Sequence, residues 1–558
     1  MGCNMKRSFN KLKLVTVMAV GFVVILSGCS TGNTKSPVDT QSITEASESS
    51  KINGGNLTFA LAGSPNTLDV GVTSSDIEFR IGRNLFDSLV GELPDHTIKP
   101  WLAESWDISP DQKSYTFKLR QDVTFHDGTP FNAVAVKVNF DRSADPKGTS
   151  VYAKQLLGPY ESSEVIDEFT LKVNFKEAFT PFLSNASKST LGIQSPESFK
   201  KYGDKVGQNP VGTGPFKFVT WSPNAEIVLE KNADYNWASP VAEHNGPAYL
   251  DKVVLKFISE EATRVSSLQS GQVLAAESIP AQNIVALKKD PNYQVQQVLP
   301  PGGSFALTFN TQSARWSDVN LRKAVQSAVD VESIVKALYL GTFPRAWSSL
   351  SPSTLGYDES LENGYAVDLT KSNQLLEEAG WKLGSDGIRE KDGKPLTINY
   401  IDLTGNREKR EDVIKIVQQQ LKVIGIKLNL SITAAGPYVD ALKSGNYDLA
   451  SLSFAGGDPD ILRTLYSKEN WSTNEFANSN FARFYNPEIE KLLKDGYKES
   501  DREKRTGIYK DLQQYFVDNV VTIPVYVYPY TVASSKKVSG IAFDFPGYPV
   551  FYDAAISK

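Results

Sequence analysis

The sequence predicts an α/β protein of more than one domain, on three observations. The chain has 558 residues, 40% of them hydrophobic, enough material for a large core and more than one compact unit needs. From about Glu408 to Ile424, apolar Val413, Ile416, Val417, Leu421 and Ile424 fall on one helical face. The alternating run Gly425-Ile426-Lys427-Leu428-Asn429-Leu430 follows it as a strand, and strand–helix–strand order is the grammar of an α/β layer.

The first 50 residues read as an address followed by a tether. Lys6, Arg7, Lys11 and Lys13 precede an apolar run, Leu14 to Leu26, and small residues lead to Cys29. A positive segment, a short apolar core and small residues describe a secretory signal. The run is short for a bilayer span, which needs about 20 residues, although an uncleaved membrane anchor is the alternative. Leu26-Ser27-Gly28-Cys29 resembles the bacterial lipobox. That resemblance implies that Cys29 is lipid-modified and becomes the new N-terminus, leaving everything downstream outside the cytoplasm. Ser30 to Ser50 is polar and small, with too little apolar content to order itself, as a flexible tether should be.

Composition narrows the chemistry. The balance of 59 Lys+Arg against 64 Asp+Glu offers no basic field for nucleic acid. Cys3 and Cys29 are the only cysteines, so the mature part carries no disulfide although it is exported. The three histidines, His96, His126 and His244, supply neither a hydrolytic triad nor a close-spaced zinc pair. Gly212-Thr213-Gly214-Pro215 is the nearest thing to a phosphate loop, and its proline removes an amide donor.

Taken in order, Asn56-Leu57-Thr58-Phe59-Ala60-Leu61 is strand-like, and Ser64 to Asp69 is a turn-forming cluster. Ser114 to Arg120 alternates as a half-buried strand, Phe125 to Phe131 is a turn, and Val134 to Phe140 reads as a helix. Phe305 to Asn310 reads as a strand. Leu375 to Trp381 ends a helix on Gly380, and Val520 to Tyr530 is a β-rich return segment.

The succession Leu102-Ala103-Glu104-Ser105-Trp106, Tyr115-Thr116-Phe117-Lys118-Leu119-Arg120, Phe125-His126-Asp127-Gly128-Thr129-Pro130-Phe131 and Val136-Lys137-Val138-Asn139-Phe140-Asp141 resembles the peptide/nickel (family 5) solute-binding proteins of ABC importers. The resemblance continues through Gly212 to Phe218, Asn232 to Trp237, Leu250 to Lys256, Arg264 to Gly271 and Val319 to Asp330. After Gly271 this chain has Gln272-Val273-Leu274 where the family usually has Glu-Val-Asp. The resemblance implies a two-lobed periplasmic-binding-protein-like fold (class II, cluster C) with mixed sheets, a hinge cleft and an extra subdomain in the first lobe. The expected order is signal 1–29, tether 30–52, first lobe 53–305 with the extra subdomain at about 80–200, second lobe 306–520, and a return to the first lobe at 521–558. His126 belongs to a surface turn in that family, a structural role.

The implied activity is capture of a peptide by hinge closure and delivery to a membrane permease, without chemistry and without a cofactor. The candidate ligand loop is Ala455-Gly456-Gly457-Asp458-Pro459-Asp460-Ile461-Leu462-Arg463. Gly456 and Gly457 let backbone approach a ligand, and a carboxylate in a closed cleft suits a peptide's ammonium. In dipeptide-binding relatives an aspartate of this Asp-Pro-Asp region contacts that terminus, with a longer spacing than here; Asp458 is the matching candidate. Equally, Asp458 or Asp460 caps the helix starting near Ile461, Asp460 the better placed. Phe454 falls near a pocket-lining aromatic position. Arg463 could take a carboxylate or lie on the helix surface, and Asn66, Thr67 and Leu68 sit where the first lobe meets the cleft. A receptor for nickel or a metal chelate is the second reading, set back by Gly457 where those relatives have a tyrosine. A secreted hydrolase is the third, with no imidazole placed for a serine. A monomer on a Gram-positive cell surface is favoured, or a periplasmic location in a Gram-negative envelope.

Overall fold

The computed structural model describes residues 53–557 apart from 147, 149, 150 and 474–476. The predicted signal, Cys29 and the tether lie outside the described residues.

A seven-stranded mixed sheet forms around the strand Asn56–Leu61, which pairs in parallel with Lys252–Phe257 on one side and Ala275–Glu277 on the other. Period-2 alternation sends its side chains to opposite faces. Leu57, Phe59 and Leu61 enter the main first-lobe core. Ala60 faces a second cluster with Val265 and Leu268 of the helix Glu261–Gln269 and Ile284 of the helix Ala281–Leu287. Both faces are therefore covered. A four-stranded antiparallel sheet, Ala103–Ile108, Ser114–Leu119, Thr170–Phe175 and Tyr160–Asp167 in that pairing order, stands beside it. Its Phe117 and Phe175 pack on Phe182, in the same hydrophobic cluster as Phe59. This part of the chain shares its core with the larger sheet.

The second unit is a five-stranded sheet ordered Lys427–Thr433, Thr397–Leu403, Leu449–Ala455, Gly302–Phe309, Thr522–Tyr526. The helix Arg410–Val423 connects its parallel pair Thr397–Leu403 and Lys427–Thr433. Val413, Ile414, Val417 and Leu421 are its buried residues, while Ile416 is only partly buried. The predicted αβ repeat is thus present: Val413, Val417, Leu421 and Ile424 of the expected stripe are buried, with Ile414 where Ile416 was expected. Gly425, at φ +79°, turns the chain out of the helix and into the next strand, a conformation that glycine adopts without strain.

The chain crosses between the two large sheets twice, from Val298 to Gly302 and from Tyr526 to Tyr530. The first crossing falls before the strand at Phe305 where the sequence places it, and the second falls later than expected. Thr522–Tyr526 pairs with Gly302–Phe309 in the second sheet, and Tyr530–Ser535 is the strand that inserts between Ala275–Glu277 and Tyr293–Val298 of the first. Among the described residues no helix is long and apolar enough to cross a membrane.

Candidate functional site

The ligand loop predicted from sequence hangs from the end of the strand Leu449–Ala455, beside the first crossing. Gly303 pairs with Phe454, and Gly456 N donates to Pro301 O at 3.1 Å. Gly302 has φ +127°, and a Cβ there would stand 2.4 Å from Gly456 N, so the close approach of the two backbones requires glycine. The turn Gly456 to Asp460 then leads into the short helix Ile461–Tyr466.

The two carboxylates of the turn are already engaged. Asp458 accepts from Arg505 Nη1 at 2.8 Å and Nη2 at 2.6 Å, and its Oδ1 also accepts from Asp460 N at 2.8 Å. Burial opposes its ionisation, but the Arg505 guanidinium outweighs burial and holds its carboxyl below the usual range. The bidentate arginine thus occupies the carboxylate that the sequence offers to a ligand ammonium. Asp460 stands at the N-cap position but makes no side-chain cap. Its carboxylate turns instead to Arg463, with contacts of 3.0 Å to Nε and 2.8 Å to Nη2. Burial pushes the Asp460 carboxyl upward against Arg463's opposing pull. Arg463 also binds Glu469 and lies over the Tyr497 ring. Its charge is engaged by carboxylates of its own lobe, and it lines the gap from the helix Ile461–Tyr466.

Facing this loop across a gap are Tyr152, Gln155, Leu156, Pro181, Asn185 and Lys188 of the first lobe. Phe454, Gly456, Asp458, Asp460, Ile461, Arg463 and Thr464 form the opposite wall. The space measures about 420 Å³, including open solvent. Gly457 approaches the first lobe closely: a Cβ there would lie 3.1 Å from both Lys188 Cε and Phe545 Cε1. Lys188 Nζ donates to Asn185 Oδ1 at 3.0 Å. Burial lowers its pKa, countered by Glu92, Asp458 and Asp460. The first-lobe wall was not singled out from the sequence, where Tyr152 and Lys188 stand in no motif.

Asn66, Thr67 and Leu68 are not among the residues lining the gap. Leu68 is fully buried in the first-lobe core, which removes its side chain from ligand contact. Thr67 Oγ1 accepts from Asp69 N at 3.1 Å, and Asn66 N donates at 2.8 Å to Glu78 Oε1 of the helix Asp76–Gly82, so the turn is held within the first lobe. His126 is more than a surface-turn residue. Its Nδ1 accepts from Gly212 N at 3.2 Å and its Nε2 contacts Gly214 O at 2.9 Å, which requires the neutral Nε2–H tautomer. Burial pushes its pKa down to about 4.

The lobes also meet beyond the gap. Tyr497, from the helix Pro487–Lys498, packs against Phe179 with ring centroids 6.3 Å apart, and belongs to the first-lobe hydrophobic cluster. Its hydroxyl donates to Glu177 at 2.5 Å, its carbonyl accepts from Thr180 N at 3.0 Å, and Arg502 Nη2 donates to Asp95 O at 2.8 Å.

Two sheet-centred lobes joined by paired crossings, with a gap lined from both sides, define a receptor that encloses its ligand. The family model of the bacterial extracellular solute-binding proteins, family 5 Middle, matches residues 97–474. The chain belongs to that family: it is a substrate-binding receptor of the ABC transporter type and not an enzyme. It is 27% identical over 482 residues to the glutathione-binding protein GsiB of Salmonella typhi, covering 85% of this chain and 89% of that one. It also resembles the Helicobacter pylori periplasmic binding protein DppA in complex with peptide STSA. That likeness has TM-score 0.74 and 26% identity, over 91% of this chain and 99% of that one. The fold is also that of NikA from Brucella suis in complex with Fe(III)-EDTA, with TM-score 0.79 and 24% identity over 90% and 100% of the two chains.

Proposed function

We propose that this chain captures a short peptide between its lobes and hands it to an ABC permease, anchored outside the cell by an acylated Cys29. The observation that carries the reading is the inter-lobe gap. It is walled by Tyr152 and Phe454, bordered by Gly456, and provided with charged side chains on both sides and the amides of Gln155 and Asn185 on the first-lobe side. Aromatic walls accept varied side chains while polar groups fix orientation. The likeness to a glutathione-binding and a peptide-bound receptor supports the same ligand class. Among the described residues no group of three or more His, Cys, Asp or Glu side chains could hold a metal ion, which favours a peptide over a directly ligated metal. Phe454, Gly456, Gly457 and Asp460 line the ligand in this reading, and Asp458 shapes the loop through Arg505.

Native mass spectrometry of the purified protein tests it. A co-purifying peptide, and a rise in melting temperature with added peptide but no turnover, are the expected results; ligand at 100 times Kd adds about 2.7 kcal/mol of stability. A metal chelate in the spectrum, or cleavage of the peptide, would overturn the reading. Lipid labelling that is lost in Cys29→Ser tests the anchor, and a monomer in solution is the expected state. The polar tether favours a Gram-positive cell surface.

A further inference from the structure

Two cations line the gap. Arg463 is neutralised by Asp460 and Glu469. Lys188 is 5% exposed and has no carboxylate in ion-pair reach among the described residues. One of its three donors is used, on Asn185 Oδ1, and the Asn185 amide is itself fixed by Leu156 O at 2.9 Å. Glu92, Asp458 and Asp460 lie near enough to counter its burial, but none of them hydrogen-bonds its ammonium. Asp458 is held by Arg505 and Asp460 by Arg463, while Glu92 accepts from Ser184 Oγ at 2.5 Å and contacts His96 Nδ1 at 3.2 Å. A buried ammonium with two N–H groups left without an acceptor gains from a carboxylate that joins it.

Resting on the peptide reading above, we propose that Lys188 is the carboxylate receptor of the site: the bound peptide presents a carboxylate to Lys188 Nζ from within the gap. The loop opposite offers no unpaired carboxylate to anchor an ammonium at Asp458, so the ligand's anionic end, held by the first lobe, sets its direction. Two sources share this chemistry, the C-terminal carboxylate and an acidic side chain.

Calorimetry on the full mature chain separates them, using Ala-Ala-Ala as free acid, Ala-Ala-Ala amide, and Ala-Glu-Ala amide, with wild type, Lys188→Met and Lys188→Arg. If the C terminus is the partner, the free acid binds wild type about ten- to a hundredfold tighter than its amide, the range of a charged hydrogen bond. That preference disappears in Lys188→Met and is largely kept in Lys188→Arg. If a side-chain acid is the partner, Ala-Glu-Ala amide shows the same Lys188 dependence. Ligand-free Lys188→Met melts at or above the wild-type temperature, because an unpaired buried charge is gone; a structural lysine would lower it. Peptide binding whose carboxylate preference survives Lys188→Met overturns the assignment and leaves the peptide reading standing. Failure of wild type to bind any of the peptides overturns both.

Discussion

Arg505 grips both carboxylate oxygens of Asp458, at 2.8 and 2.6 Å, and with Nε donates to Gly496 O at 2.8 Å. One side chain thereby fastens the ligand loop to the helix that carries Tyr497 into the first lobe. The loop and the inter-lobe contact are mechanically one piece.

Asp458→Ala strands a buried guanidinium. The expected loss is about 3–5 kcal/mol of stability, measured by denaturant unfolding, with part of it recovered in the double variant Asp458→Ala/Arg505→Met. Affinity should fall alike for a free-amine peptide and its N-acetylated form. A loss confined to the free amine would return Asp458 to the role of ammonium partner.

Tyr497→Ala empties a place in the first-lobe cluster and removes the hydroxyl from Glu177. The closed arrangement weakens, and ligand affinity should fall about tenfold, equal to 1.4 kcal/mol, while X-ray scattering of the free protein reports a larger radius. Lys498→Ala should do little, because its 2.6 Å bridge to Glu177 joins two half-exposed groups.

Gly457→Val places carbon between the lobes, where Lys188 and Phe545 stand 3.1 Å from the first atom added. Closure is obstructed, so affinity should drop while the melting temperature of ligand-free protein changes little. An unchanged affinity would show that the lobes close without this contact.

A half-buried histidine and a buried aspartate tilt stability in opposite directions with pH. His126, with its pKa pushed to about 4 by burial, binds fewer protons folded than unfolded between there and its ordinary value near 6.5. Its contribution is complete above that value and is lost as pH falls toward 4. Asp87 is pushed up to about 7 by burial, against the bonds from Thr213 and Trp237. Its contribution is complete below about pH 4 and is lost as pH rises through 7. Wild-type stability should therefore show partly cancelling slopes from these two sites. Urea unfolding from pH 4 to 7 should tilt downward with pH in His126→Gln and upward in Asp87→Asn, each relative to wild type. Parallel curves would refute both shifts.

What was readable in the chain was whatever repeats locally. The stripe from Val413 to Leu421 announces its helix, and Gly380, at φ +83°, ends the helix Leu369–Glu378 where a glycine stop was expected. Phe454, Gly456, Asp458, Asp460 and Arg463 could be grouped from sequence because they are close neighbours along the chain. The opposing wall was invisible because Tyr152, Asn185 and Lys188 become neighbours of that loop only through tertiary folding. The same limit hid Arg505, 47 residues from Asp458. Asp460 shows a subtler limit: its position was right for a cap, but Arg463 three residues on offered a stronger partner. Leu68 misled because adjacency to a cleft-edge turn says nothing about which way a side chain points.

The strand Tyr530–Ser535 joins Tyr293–Val298 to the rest of the first sheet. A nascent chain therefore leaves its first sheet unfinished until residues 530–535 have been made, and loss of that strand would damage the half made first.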